Sequence, residues 1–319
     1  MPKLKLVMMW ETGPGMAERV RSQVPEYDVT LATEPDRLLR EIADADAAFG
    51  RLPKGPFLAA KRLRWVQSMG VGFETMLYPE MIESDVVITN TAGAFDAAMA
   101  EHVFALLLSL TRGMRAYHEL QKARGWSREA PAIQLAGKTM GVLGLGTIGR
   151  AVAIRAKAFG MRVIALDAQV KLPPEGVDAV FGPDRMETVF RESDVIVVAL
   201  PLTERTKGLV NRERLRLMKR TACVVNVARG PIIAEADLIE ALRAGEIAGA
   251  GLDVFEREPL PKESPLWDMA NVVITSHVAG RSPEGVDNIE AVLVENLRRF
   301  ARGEALVNVI DKRLGYKIQ

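Results

Sequence analysis

Six residues, Gly144-Leu145-Gly146-Thr147-Ile148-Gly149, constrain this chain more than any others. A lone GxGxxG run is weak evidence, because glycine is common in turns. Here the surroundings are complete. A strand pattern over Thr139–Leu143 leads into it. An amphipathic helix opens at Thr147 and continues through Ile148–Phe159. A second strand, Arg162–Leu166, ends at Asp167, 18 residues after Gly149. In such a unit the first glycine permits the tight turn, the second lets backbone approach a pyrophosphate, and the third allows helix and strand to pack closely. The helix N-terminus adds N–H groups and a positive dipole end for the phosphates. The Asp167 carboxylate can accept hydrogen bonds from both adenosine ribose hydroxyls and repels a 2′-phosphate. NAD is therefore expected over NADP, with Gly144, Gly146, Thr147, Ile148, Gly149 and Asp167 as its contacts.

The same alternation of short apolar runs and helical patterns covers the chain and predicts a parallel α/β architecture. Strands are expected at Lys3–Trp10, Val29–Leu31, Ala47–Gly50, Trp65–Ser68 and Val86–Thr89, with helices at Met16–Gln23 and Asp36–Ile42. Beyond the fingerprint, strands are expected at Ala179–Phe181, Asp194–Leu200, Cys223–Val227, Gly249–Val254 and Val272–Ser276. Helices are expected at Met186–Arg191, Arg212–Met218, Ala236–Ala244 and Pro283–Ala301. The fingerprint half makes a doubly wound sheet of its own. With 319 residues, the first hundred then form a second domain. One long helix, Ala97–Arg124, is apolar on more than one face, as expected of a helix buried between two bodies.

Composition removes several function classes. Lys and Arg number 42 against 41 Asp and Glu, so the electrostatic footprint of a nucleic-acid binder is absent. The longest strongly apolar run, Val103–Leu110, falls far short of the ~20 residues that cross a bilayer. The N-terminus lacks a signal-peptide cleavage pattern, so a cytoplasmic protein is the expectation. Cys223 is the one cysteine, which excludes an internal disulfide and a cysteine-only zinc site, and no metal is expected.

In open α/β sheets, ligands bind outside the carboxyl ends of the strands. The strand from Cys223 is followed by Ala228-Arg229-Gly230, and the strand from Gly249 by Phe255-Glu256-Arg257-Glu258-Pro259. The strand from Val272 is followed by His277-Val278-Ala279-Gly280. An arginine, a glutamate and a histidine thus reach the edge that carries the glycine loop. A histidine exchanges protons near neutral pH, and a neighbouring carboxylate favours its charged form and fixes the ring. An arginine fork grips a carboxylate at two points and polarises a carbonyl. With a nicotinamide, these are the parts for reducing a 2-keto acid. Spacing alone does not choose between Glu256 and Glu258. His102 and His118, on the long helix, are read as structural.

These segments resemble the D-isomer-specific 2-hydroxyacid dehydrogenases. The likeness runs nearly end to end and is carried by GVLGLGTIGR (141–150), LPLTERTKGLV (200–210), VVNVARGPII (224–233), GLDVFEREPLP (251–261) and SHVAGRSPEG (276–285). The resemblance implies that Glu258, before the proline, partners His277, and that Arg229 orients the substrate. It implies cofactor contacts from Leu200, Pro201, Thr206, Val227, Ala228, Asp253 and Gly280. Met69, Gly70 and Val71 match the loop whose N–H groups hold the substrate carboxylate, and Arg51 stands where some members place a further carboxylate-binding arginine. Glu74, Ser276 and Thr147 depart from the common family residues without removing a catalytic group.

The resemblance further implies a flavodoxin-like substrate domain, residues 1–98 plus 289–319, with a Rossmann NAD-binding domain, 99–288, inserted in it. It implies a homodimer built on the long helix, and a small 2-keto or 2-hydroxy acid as partner. No regulatory extension is expected after Gln319. Formate dehydrogenase, a relative, needs glutamine where Glu258 stands. An NAD(H)-sensing corepressor could keep the same three polar residues, but this sequence shows no disordered, interaction-rich tail.

Overall fold

A computed structural model describes residues 3–130 and 132–316. In chain order its elements are β1 (Leu4–Met8), α1 (Met16–Gln23), β2 (Tyr27–Leu31), α2 (Pro35–Ile42), β3 (Ala47–Phe49), α3 (Lys54–Ala59), β4 (Trp65–Gln67), α4 (Pro79–Glu83) and β5 (Val87–Thr89). There follow α5 (Asp96–Thr111), α6 (Met114–Lys122), β6 (Thr139–Leu143), α7 (Thr147–Ala158), β7 (Arg162–Leu166), β8 (Ala179–Phe181), α8 (Met186–Glu192) and β9 (Val195–Val198). The last are α9 (Arg212–Leu215), β10 (Cys223–Asn226), α10 (Glu235–Arg243), β11 (Gly249–Leu252), β12 (Val272–Ile274) and α11 (Pro283–Arg302).

The chain divides into two compact units, residues 1–95 with 282–319, and residues 96–281. The whole of α11 thus belongs to the first unit, whose return begins at 282 rather than the expected 289. In that unit a parallel sheet runs in the order β2-β1-β3-β4-β5. Leu6, Met8, Phe49 and Trp65 pack on one side with α1 and with Ile289, Leu293 and Leu297 of α11. Val7, Ala48, Val66 and Ile88 pack on the other. The tail then returns along β5, where Ile310 N–H donates to the Ile88 carbonyl at 2.9 Å. The Lys312 ammonium caps the Met81, Ser84 and Val86 carbonyls, and burial pushes its pKa down.

In the second unit a seven-stranded parallel sheet runs β12-β11-β10-β9-β6-β7-β8. Side chains alternate across it with the strand period of two. Ile196 and Val198 of β9 enter the core on one face, Val195 and Val197 the core on the other. Parallel strands buried on both faces read as continuous apolar runs, which is why their sequences were so conspicuous. Cys223 lies in β10, and burial pushes its thiol pKa up to about 11.

The long helix expected over 97–124 is two helices. Gly113 adopts a left-handed φ of 62°, which breaks the run between α5 and α6. The two halves also differ in burial. Ala100, Val103, Phe104, Leu106 and Leu107 of α5 are buried, whereas α6 buries no residue. The α5 helix lies so close to β11 that a Cβ on Gly251 would come within 2.8 Å of Leu106 Cβ. Helix α3 carries Gly55 and Pro56, and α4 has a single turn after Pro79, so neither has a readable helical period.

One very close approach in the second unit is between α7 and the turn before it. A Cβ on Gly149 would fall inside the van der Waals radius of the Gly144 carbonyl oxygen, a backbone atom. Gly149→Ala is therefore expected to lower unfolding stability by about 1–3 kcal/mol, read as a lower midpoint in urea. A parent-like midpoint would contradict this packing.

Candidate active site

β6 has β7 on one side and β9 on the other, so the chain reverses its winding direction there. That switch point is where doubly wound sheets bind ligands, and the glycine loop begins one residue beyond β6. Gly144 has φ 100°, a conformation open to glycine, and its N–H donates to the Leu166 carbonyl at 2.9 Å. Nothing lies within 4 Å of where a Cβ on Gly146 would be, so that side of the loop is open. The first turn of α7 has no side-chain cap, and Thr147 and Ile148 N–H groups find no acceptor among the described residues. Free N–H donors at a helix N-terminus beside an open glycine fit a pyrophosphate.

Asp167 follows β7 and is 9% exposed. Its Oδ2 accepts the Leu145 N–H at 2.8 Å, while Oδ1 accepts those of Gln169 and Val170 at 2.8 and 2.9 Å. The carboxylate therefore also fastens the glycine loop to the end of β7, a task the sequence did not disclose. In the loop after β9, the Thr206 hydroxyl donates to the Pro201 carbonyl at 2.6 Å and accepts from Thr203 N–H at 2.8 Å. Pro201, Thr203 and Thr206 are thus members of one small hydrogen-bonded turn, which Leu200 leads into.

Beyond β10, buried Val227 leads to Ala228 and Arg229. Asn226 holds this segment: its Oδ1 accepts Ala228 N–H at 3.0 Å and its Nδ2 donates to the Arg229 carbonyl at 3.0 Å. The Arg229 guanidinium donates to the Ala228 carbonyl at 2.6 Å. A Cβ on Gly230 would overlap the Phe255 carbonyl group, so the turns after β10 and β11 pass in direct contact.

Beyond β11 and β12 lie two titratable side chains in direct contact. His277 Nδ1 is 2.7 Å from Glu258 Oε2, and Glu258 Oε1 accepts Phe255 N–H at 3.1 Å. Both carboxylate oxygens are thereby oriented, and Nε2 of the ring is the nitrogen left for another partner. The His277 side chain is 50% exposed. Its backbone has φ 55°, uncommon for a residue with a Cβ. Glu256 instead exchanges backbone contacts with Glu235, its Oε1 accepting Glu235 N–H at 3.0 Å. Asp253 is 1% exposed and bonded to the His277 turn, and Gly280 ends that turn.

In the first unit, Arg51 is exposed just past β3, and residues 68–72 follow β4. Most carbonyls of this loop are tied back: Gly70 to Thr91 N–H, Val71 to Asn90 Nδ2, Gly72 to the Ser68 hydroxyl. The Met69 and Val71 N–H groups find no acceptor among the described residues. A loop with most of its carbonyls occupied and two N–H donors spare suits an anion. It stands on a buried network in which Asn296 Nδ2 and the Thr89 hydroxyl both donate to Gln67 Oε1, while Gln67 Nε2 donates to the Ser68 carbonyl. Asn226, Thr275, Gln67 and Asn296 escaped the sequence reading. Each is a buried or partly buried amide or hydroxyl in an apolar neighbourhood, and that pattern is the one signal by which they could have been found. Among the described residues no group of three His, Cys, Asp or Glu side chains is placed to hold a metal, and no helix is long and apolar enough to cross a membrane.

Comparison with known proteins gives a consistent set of relatives. Residues 104–279 match the family model described as D-isomer specific 2-hydroxyacid dehydrogenase, NAD binding domain. A glyoxylate reductase of Pyrococcus furiosus is 37% identical, the match covering 95% of this chain and 93% of that protein. Among solved structures, a D-isomer specific 2-hydroxyacid dehydrogenase family protein from Aeromonas salmonicida superposes with a TM-score of 0.87 at 33% identity. That match covers 97% of this chain and 99% of the other. An NADPH-dependent glyoxylate/hydroxypyruvate reductase from Sinorhizobium meliloti, in complex with NADP and sulfate, gives 0.86 at 30% identity, covering 98% and 100%.

Proposed function

This chain belongs to the D-isomer specific 2-hydroxyacid dehydrogenase family and is an oxidoreductase acting on CH–OH groups, and from that premise we propose that it interconverts a 2-keto acid and a D-2-hydroxy acid with NAD as cofactor. The observation that carries the reading is the His277 Nδ1–Glu258 contact at 2.7 Å, which leaves Nε2 for a substrate oxygen. A bound nicotinamide supplies or accepts the hydride at C2 of the substrate. In reduction, charge builds on the keto oxygen and His277 delivers a proton to it from Nε2. In oxidation, His277 takes the hydroxyl proton. Glu258 holds the ring at Nδ1 and stabilises the imidazolium. Arg229 grips the substrate carboxylate and polarises the keto group. In the first unit, the spare Met69 and Val71 N–H groups, on either side of Gly70, are of the kind that holds a carboxylate, and Arg51 offers a further cation. Asp253 and Gly280 are assigned to the nicotinamide end. Leu200, Pro201, Thr206, Val227 and Ala228 are assigned places along the cofactor. Glyoxylate is the first substrate to test, since relatives of this length carry that name.

Two substitutions test the chemistry. His277→Gln is expected to lower kcat by about 10²–10⁴, the usual range for a positioned acid–base group, while ADP-ribose still binds at the untouched glycine loop. Arg229→Lys keeps the charge and loses the planar fork, so KM for the keto acid should rise and kcat fall together. Near-normal values for the lysine variant would place the carboxylate elsewhere.

For the cofactor, the Asp167 carboxylate favours two free ribose hydroxyls over a 2′-phosphate. NADH should exceed NADPH in kcat/KM by about tenfold or more, equivalent to roughly 1.4 kcal/mol. Asp167→Asn, which keeps a carbonyl acceptor for the loop, should narrow that ratio. Equal kcat/KM for both cofactors in the parent protein would refute the assignment.

A homodimer belongs to the same reading. Helix α6 buries none of its residues, Met114 and Tyr117 on it are exposed, and Trp126 just beyond is 92% exposed. So much apolar surface in one stretch is the mark of an association surface. Sedimentation equilibrium should give twice the 35.0 kDa chain mass, and Trp126→Glu with Met114→Glu should shift it toward the monomer. A parent protein that sediments as a monomer would exclude the dimer.

A further inference from the structure

Sequence alone gives His102 no role beyond structure, yet its side chain ends beside the turn that bears His277. It projects from α5 with its ring largely buried, and Nε2 is 2.8 Å from the Thr275 hydroxyl. That hydroxyl in turn donates to Asp253 Oδ1 at 2.6 Å. A hydroxyl has one proton. Since it is spent on Asp253, the contact with His102 must be made by the ring's own N–H, which fixes the tautomer. The result is a directed chain, His102 Nε2–H to Thr275 Oγ1–H to Asp253 Oδ1, with Nε2 itself 3.6 Å from that oxygen.

Asp253 holds the segment that bears His277. Its carbonyl accepts His277 N–H at 2.8 Å, Oδ1 also accepts Val278 N–H at 2.9 Å, and Oδ2 accepts Ala279 N–H at 3.0 Å. Three successive backbone donors therefore end on one residue, at the place where His277 is held at φ 55°. A left-handed backbone is disfavoured for a residue with a Cβ and persists only where its surroundings impose it. The carboxylate that imposes it is itself fixed by the Thr275 hydroxyl, and the direction of that hydroxyl is fixed by His102.

We propose that His102 is a positioning residue for the acid–base histidine, acting through Thr275 and Asp253 on the backbone of the 277–279 turn. The inference rests on the assignment of His277 as the proton donor. Removing the imidazole donor frees the Thr275 hydroxyl to turn away from Asp253. The turn then loosens, and the His277 ring loses its register with the substrate oxygen. The effect falls on proton delivery and leaves the phosphate loop untouched.

The test is single-turnover oxidation of NADH by saturating glyoxylate, with ADP-ribose titration of each variant to count competent sites. His102→Leu should slow the turnover about tenfold per competent site, since small misplacements of a reacting group carry costs of that order. The solvent deuterium isotope effect on the step should rise as proton delivery becomes limiting. His102→Gln, whose amide N–H can replace Nε2–H, should restore the rate to within about threefold of the parent. A His102→Leu protein that turns over within about twofold of the parent overturns the proposal. So does slowing without a change in the isotope effect, or equal slowing in the glutamine variant. If His102→Leu fails to bind ADP-ribose, Thr275→Val breaks the chain at its middle without a change in shape and is judged by the same two readouts. His277→Gln separates the layers: if it is not slowed, the assignment of the proton donor fails. If it is slowed while His102→Leu and Thr275→Val are not, only the positioning chain fails.

Discussion

Parallel strands deliver their carboxyl ends to one edge of a sheet, and the proposed chemistry of this protein depends on that. β6, β9, β10, β11 and β12 end side by side, so the glycine loop, the Pro201 turn, Arg229, Glu258 and His277 emerge along one line. The sheet brings them to the same edge, and local contacts do the rest. Gly149 lets α7 start hard against its own turn, Gly230 lets the turns after β10 and β11 touch, and Asn226 and Asp253 tie neighbouring turns to the strand ends. Each tie uses short, buried side chains, which lose little rotamer freedom when fixed.

Asp167 illustrates how one group can serve two ends. A carboxylate has about four acceptor positions, and three are filled by backbone N–H groups of the glycine loop and the turn after β7. The residue proposed to read the ribose is thus also the one that shapes the loop that meets the phosphates. On that proposal, recognition of the adenosine ribose and of the pyrophosphate is linked through a single side chain.

Much of this was legible in the sequence because the period of two and the glycine spacing report directly on backbone geometry. The strands Thr139–Leu143, Arg162–Leu166 and Ala179–Phe181 agree residue for residue with their expected bounds. Of the other strands, β2 begins two residues before its expected start, and the rest are one to three residues shorter than expected, because apolar character continues past the last ladder bond. The division of 97–124 into two helices was hidden because Gly113 is a single glycine in a strongly helical stretch, and its left-handed backbone depends on how α5 and α6 pack. His277 could be named because strand ends are special places, whereas Glu258 was separated from Glu256 only by the family resemblance. Thr275, Asn226, Gln67 and Asn296 could not, because a buried amide or hydroxyl acquires its meaning from partners distant in sequence, such as the 229 positions between Gln67 and Asn296.

The first unit is assembled from both ends of the chain. Its core on the α1 side takes Ile289, Leu293, Val294 and Leu297 from α11, and its last strand is flanked by residues 308–310. The second unit is one uninterrupted stretch, 96–281. Read in the order in which a ribosome makes the chain, the middle can close on itself first. The residues made earliest, with the 68–72 loop among them, wait for the final segment before their core is filled. Of the two units, the one whose synthesis begins first is the last to be enclosed.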